Sequence, residues 1–289
     1  MSLYNTAAMK TVAIVGAGEI GATAALTLAR LECAGAIVLI DGSGSIAAGK
    51  ALDILQSGPI AGTGVRVTGT TDTSAAAGAA VLVIADRAGA EGEWRGDGGL
   101  DLVRRLEQIA PGAPVVCAGA HQRDLLALAH RELRISRGRL IGSAPGALVS
   151  AARAMAAVGA ACSADDVALA VVGVPGSWIV AWNECTVSGA PITASLPAHV
   201  LAQMDRHTQA SWPPGPYALG SAAARCVAAI LGDSRRRLTV FAALDGEYDA
   251  RRVVAAVPAT VGTSGIRAIH PPSLSSRERV TLDTALARG

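Results

Sequence analysis

The chain has 289 residues, enough for one large domain or two ordinary ones, and 51% of them are hydrophobic but only 3% aromatic. The core must therefore be built from Ala, Val, Leu and Ile, which suits a compact α/β protein and argues against disorder. Net charge is +2, and the densest basic cluster, "SRRRL" at residues 234–238, lacks the interleaved aromatics and wide basic face of a nucleic-acid binder.

The leader "MSLYNTAAM" has no charged n-region and no long apolar h-region, so it does not read as a signal peptide. Met9 is a second candidate start. "TVAIV" follows, a short β-branched run expected of a central parallel strand. "GAGEIG" comes at once, and then "ATAALTLARL", rich in helix formers. Gly16, Gly18 and Gly21 thus lie at a strand-to-helix turn. Gly16 permits the tight turn, Gly18 lets a diphosphate approach the backbone, and Gly21 lets helix and strand pack closely. The helix start, with Glu19 and Ile20, offers N–H groups to an anion.

A lone GxGxxG is weak. Here "AIVLID" supplies a second strand ending in Asp41, about 20 residues past the last glycine, where an acid binds adenosine ribose hydroxyls. That acid repels a 2′-phosphate, so NAD is expected rather than NADP. The bland alternative is a glycine turn that binds nothing.

Further strands are predicted within residues 65–70, 79–86, 113–119 and 139–144. Helices are predicted at "GLDLVRRLEQIA", closed by Pro111-Gly112, and at "HQRDLLALAHREL". Alternating strands and helices imply a Rossmann-type doubly wound parallel sheet over residues 9–144. An α+β substrate and oligomerisation domain over 145–289 is expected to follow. Cys33, Cys117, Cys162, Cys185 and Cys226 sit at no metal or redox spacing, so reduced thiols and a cytoplasmic setting are expected, with no metal. No apolar stretch reaches membrane-span length uninterrupted. "SRRRL" reads as a solvated strand entrance.

"VAIVGAGEIGATAALTLA", "VLIDGSGSIAAGKALDILQSGP" and "VTGTTDTSAAAGAAVLVI" resemble the start of an NAD-dependent malate dehydrogenase of the lactate/malate dehydrogenase family. "GKALDILQSGP" is the most specific of these. "RLIGSAPGALVSAARAMAAVG", "DDVALAVVGVPGSW", "TVSGAPI" and "RRRLTVFAALDGEYDARRVVAAVPATVGTSGI" follow the family order, so the resemblance runs from Lys10 to about Ala287. It implies NAD as cofactor, a small carboxylate as ligand, hydride transfer on a 2-hydroxy acid, and a homodimer or homotetramer. The implied cofactor contacts are Gly16, Gly18, Glu19, Ile20, Gly21 and Asp41.

The resemblance also implies a histidine base, an aspartate that orients it, an arginine that clamps the substrate carboxylate and an asparagine after a central strand. The family's Gly-Gly-His-Gly-Asp turn reads "GVPGS" here, with Pro175 in the histidine's place and Ser177 in the acid's. The Leu-Asp-x-x-Arg helix start reads "LVSAAR", with Ser150 at the aspartate and Arg153 at the arginine. The asparagine would fall near Gly119 or Ala120. The arginine-bearing loop reads "DRAGAEGEWRGDGG" and leaves Arg87 and Arg95 as candidates.

These losses are chemically correlated, because a buried aspartate without its histidine is an uncompensated charge. They predict a degenerate active site. His121 is a candidate replacement base, although a histidine at a helix start is also an ordinary surface residue. Arg153 is equally a substrate ligand or a surface arginine. Asp86 and Arg87 are expected to contact cofactor or to pair with each other, and Trp94 to anchor a lid or, as the simpler reading, to fill the emptied pocket. His199, His207 and His270 read as structural or surface residues. The three prolines of "SWPPGPYALG" are expected to break the following helix start.

Overall fold

The structure is a computed structural model that describes residues 10–89 and 92–288. The leader "MSLYNTAAM", with Met9, lies outside the described residues. The first half runs β1 (Thr11–Val15), α1 (Glu19–Leu31), β2 (Ala36–Ile40), α2 (Gly44–Ala61), β3 (Arg66–Thr70), β4 (Val81–Ile84), β5 (Asp86–Arg87), β6 (Gly92–Glu93), α3 (Gly96–Ile109), β7 (Val115–Cys117), α4 (Arg123–Leu133) and β8 (Leu140–Gly142). The second half runs α5 (Ala144–Ala160), β9 (Val167–Ala168), β10 (Val171–Val174), β11 (Ser177–Val180), β12 (Thr186–Val187), β13 (Ala190–Pro191), α6 (Ile192–Ser195), α7 (Ala198–Ala210), α8 (Pro216–Leu231), β14 (Arg236–Asp245), β15 (Arg251–Gly262), β16 (Gly265–Ile269) and α9 (Ser276–Ala287).

β3, β2, β1, β4, β7 and β8 form a parallel block in that spatial order. The order reverses between β1 and β4, and the C-terminal ends of the strands there open a crevice where ligands of such folds bind. β14, β15, β10 and β11 continue the same sheet with antiparallel pairing. The parallel block ends beside residue 144, yet Phe241 of β14 pairs with Gly142 of β8. A side chain at Gly142 would collide with Phe241, so the missing Cβ allows one sheet and one core to cross the two halves.

Small side chains set the packing. Ala24, Ala25, Ala223 and Ala224 are fully buried in α1 and α8. A Cβ at Gly220 would strike the Ile20 carbonyl and Thr23, so these helices approach closely. Ile14, Leu28, Ile37, Leu39 and Leu82 are fully buried, and each such side chain contributes about 1.5–3 kcal/mol. Among the described residues no helix is long and apolar enough to cross a membrane.

One sequence expectation is corrected. The prolines do not break the helix at residue 216. Pro213 and Pro214 precede α8, and Pro216 begins it at N1, where a missing N–H costs nothing and the fixed φ suits the helix.

Candidate active site

The β1–α1 turn has the expected shape. Gly16 adopts φ +112°, and its N–H donates to the Ile40 carbonyl (2.7 Å). A Cβ at Gly21 would strike the Gly16 carbonyl, so the third glycine does bring helix and strand together. The first N–H groups of a helix lack intrahelical partners and attract an anion. Here the anion is a side chain of the same protein. Asp86 Oδ2 accepts from Glu19 N–H (2.9 Å), and Oδ1 accepts from the N–H groups of Ile20 (3.0 Å) and Gly21 (3.1 Å). The Asp86 carbonyl also accepts from Gly18 N–H (2.9 Å). A Cβ at Gly18 would lie inside the Asp86 carboxylate. The space that glycine leaves is therefore filled.

Asp41 is engaged in the same way. It is 7% exposed. Its Oδ2 accepts from Ala17 N–H (2.8 Å) and Ala88 N–H (2.9 Å), and its Oδ1 from Ser43 N–H (2.9 Å). Lys50 Nζ donates to the Gly18 carbonyl (3.0 Å).

β5 and β6 pair in register, Asp86 opposite Glu93. Residues directly opposite share a face, so the ribbon projects two carboxylates to one side. Glu93 takes the turn after β7: its Oε1 accepts from Ala120 N–H (3.1 Å) and its Oε2 from His121 N–H (2.8 Å). His121 Nδ1 lies 3.2 Å from Oε1, and the imidazole is half exposed. A side chain at Gly119 would collide with Glu93, and Gly119 N–H donates to the buried Gln122 side chain (2.9 Å). The Arg87 guanidinium lies 4.8 Å from the centroid of the Trp94 ring, which is half buried. Arg95 is exposed at the start of α3.

The second-half residues are dispersed. Pro175 is exposed at the tip of the β10–β11 hairpin, whose last pair is Val174–Ser177. Behind it, Trp178 is buried with its ring 4.7 Å from Trp212 and 6.1 Å from Phe241. Gln209 of α7 pins this strand by bonding both the N–H and the carbonyl of Trp178. Ser150 is exposed on α5, whereas Leu148 and Ala152 are buried. The helix turns Ser150 to solvent, and its inward neighbours carry no ionisable group. Arg153 donates to the carbonyls of Ala164 and Val167 (3.1 and 3.0 Å). Those bonds fasten the corner between α5 and β9. His270 Nε2 lies 2.6 Å from Thr260 Oγ1, and His199 and His207 are exposed.

Sequence reasoning missed Glu93, which looked like one acid in a glycine-rich loop. Asp86 was placed at the right strand end, but its partners were not. An NAD diphosphate would need the N–H groups that Asp86 holds, so the residues present do not fit the dinucleotide until Asp86 moves.

Residues 10–111 match the lactate/malate dehydrogenase NAD binding domain, and residues 215–288 match the lactate/malate dehydrogenase alpha/beta C-terminal domain. A malate dehydrogenase of Desulforudis audaxviator is 32% identical over 96% of each chain. One of Thermomicrobium roseum is 31% identical over 94% of each. The solved malate dehydrogenase of Salinibacter ruber superposes with a TM-score of 0.88 at 26% identity, covering 96% of this chain and 94% of that one.

Proposed function

The chain belongs to the lactate/malate dehydrogenase family, and we propose that within it this protein does not perform ordinary malate or lactate oxidation. The matched first domain is an NAD-binding one, so NAD(H) is the cofactor class. The observation that carries the proposal is Pro175 at the exposed hairpin tip, where the resemblance expects a histidine. A proline accepts no proton, and a positioned acid–base group contributes roughly a hundred- to ten-thousandfold in rate. Leu148 and Ala152, the inward residues of this stretch of α5, carry no ionisable group and support the same reading.

The test is a turnover assay on the purified protein with malate, lactate, oxaloacetate and pyruvate, followed by NADH absorbance. No rate above the blank is expected. Turnover at the rates of ordinary enzymes overturns the reading.

A second reading rests on the Glu93–His121 contact (3.2 Å). A carboxylate on Nδ1 leaves Nε2 free as a base, the arrangement of a base with its orienter. The protein would then be an oxidoreductase of another substrate with a relocated base. A screen of hydroxy acids and alcohols would reveal it, and His121→Ala must then abolish the activity found.

A third reading, a structural oligomer, draws on Leu52, Leu55 and Ile60 of α2, which are exposed apolar residues. A homodimer or homotetramer would cover them, and sedimentation of the protein tests it. The five free cysteines support a reducing, cytoplasmic setting.

A further inference from the structure

We propose that Asp86 is a built-in occupant of the diphosphate site, so that a dinucleotide binds only when this carboxylate withdraws. The proposal concerns cofactor access and does not depend on whether the protein catalyses any reaction.

Four observations carry it. Both Asp86 oxygens are engaged by the consecutive N–H groups of Glu19, Ile20 and Gly21, at 2.9, 3.0 and 3.1 Å. These charge-assisted bonds at a helix start are the ones a phosphate would make there. The carboxylate fills the gap that Gly18 leaves, so a diphosphate and Asp86 are excluded from each other by volume as well as by like charge. Asp41, the expected ribose ligand, has its oxygens on Ala17, Ser43 and Ala88. The bond from Ala88 ties the chain just after β5 to the end of β2.

The fourth observation is that the ribbon is held at its other strand too. Glu93, opposite Asp86, binds the N–H groups of Ala120 and His121. Asp86 therefore belongs to a segment fastened to the turns after β1, β2 and β7. A ligand that must displace an internal competitor has its affinity reduced by the fraction of molecules whose site is open. The N–H groups satisfied by Asp86 also keep α1 capped without any ligand.

The experiment compares the wild type with Asp86→Ala and Asp86→Asn, using NADH fluorescence titration, thermal shift with inorganic pyrophosphate, and hydrogen exchange at the Glu19–Gly21 amides. The wild type is expected to bind NADH only weakly, with those amides equally protected with and without it. Asp86→Ala removes the competitor and is expected to bind NADH about ten- to a hundredfold more tightly. Its melting temperature should rise with pyrophosphate while that of the wild type does not. Asp86→Asn, which keeps shape but not charge, should lie between the two. Should Asp86→Ala fail to fold, the Asn variant and the wild-type exchange data decide. Wild-type NADH binding as tight as that of the variants overturns the proposal. So does the absence of binding by every form, since Asp86 would then not be what decides access.

Discussion

Asp86 and Glu93 face each other across the β5–β6 ribbon, and their carboxylates close two different strand-end turns. Asp86 holds the N–H groups at the start of α1, and Glu93 those of Ala120 and His121 after β7. The two turns flank β4 in the sheet. The crevice in which this fold places ligands is thus lined by the protein's own anions.

The α1 cap predicts a stability effect. Asp86→Ala leaves three N–H groups without a protein partner, and loss of such a cap costs about 0.5–2 kcal/mol. Chemical denaturation of the ligand-free protein should show a lower midpoint with an unchanged slope. An unaltered midpoint would mean that water caps α1 as well as Asp86 does.

The aromatic cluster behind the hairpin predicts a larger effect. Phe241 is the chain's single phenylalanine, it is 1% exposed, and it touches both Trp178 and Trp212 at ring separations of 6.1 and 5.8 Å. Truncation of a buried Phe to Ala costs about 3–5 kcal/mol. Phe241→Ala should be strongly destabilised, and the tryptophan emission should shift to the red as water reaches the rings. Phe241→Leu should recover most of the loss.

Burial predicts which thiols react. It pushes the thiols of Cys117 and Cys226 up to about 12, with the charge of Glu93 adding to the effect at Cys117. Cys185 is also raised to about 12, chiefly by burial. The thiolate is the nucleophile, so these three should resist a maleimide at mildly alkaline pH. Cys33 and Cys162 are only half buried and should be the first modified. Mass mapping before and after unfolding checks this.

The β14–β15 connection predicts a pH dependence. Burial raises the Glu247 carboxyl, but bonds from Arg137 (3.0 and 2.9 Å) and from Asp245 N–H (2.7 Å) outweigh it and hold it below its ordinary value. A carboxyl depressed in the folded state adds stability above its unfolded value and loses it as pH falls through the folded one. Arg137 is partly exposed, so the pair is worth at most about 1 kcal/mol. Glu247→Gln should be less stable than the wild type at neutral pH. The difference should shrink as pH drops below about 4. A difference that persists at low pH would assign the effect to packing instead.

The legible parts of this protein were local ones. "TVAIVGAGEIG" specifies strand, turn and helix within a dozen residues, and Pro175 shows by its identity alone that it has no group to accept a proton. Asp86 and Glu93 act on partners 65–67 and 27–28 positions away, contacts that no periodicity encodes. The phase of α5 was equally hidden. "APGALVSAARAMAAVGA" carries alanine on every face, so its pattern does not say that Ser150 points outward and Ala152 inward. The prolines before α8 were read as breakers because Pro216 was not recognised as an N1 residue.

The central claim is that this family crevice is closed by the chain's own carboxylates. The most direct measurement is a crystal structure of the wild-type protein grown with a large excess of NADH. The account predicts Asp86 on the N–H groups of Glu19, Ile20 and Gly21 wherever the site is empty, and turned away wherever a diphosphate occupies it. A diphosphate bound there with Asp86 still on those N–H groups would contradict it.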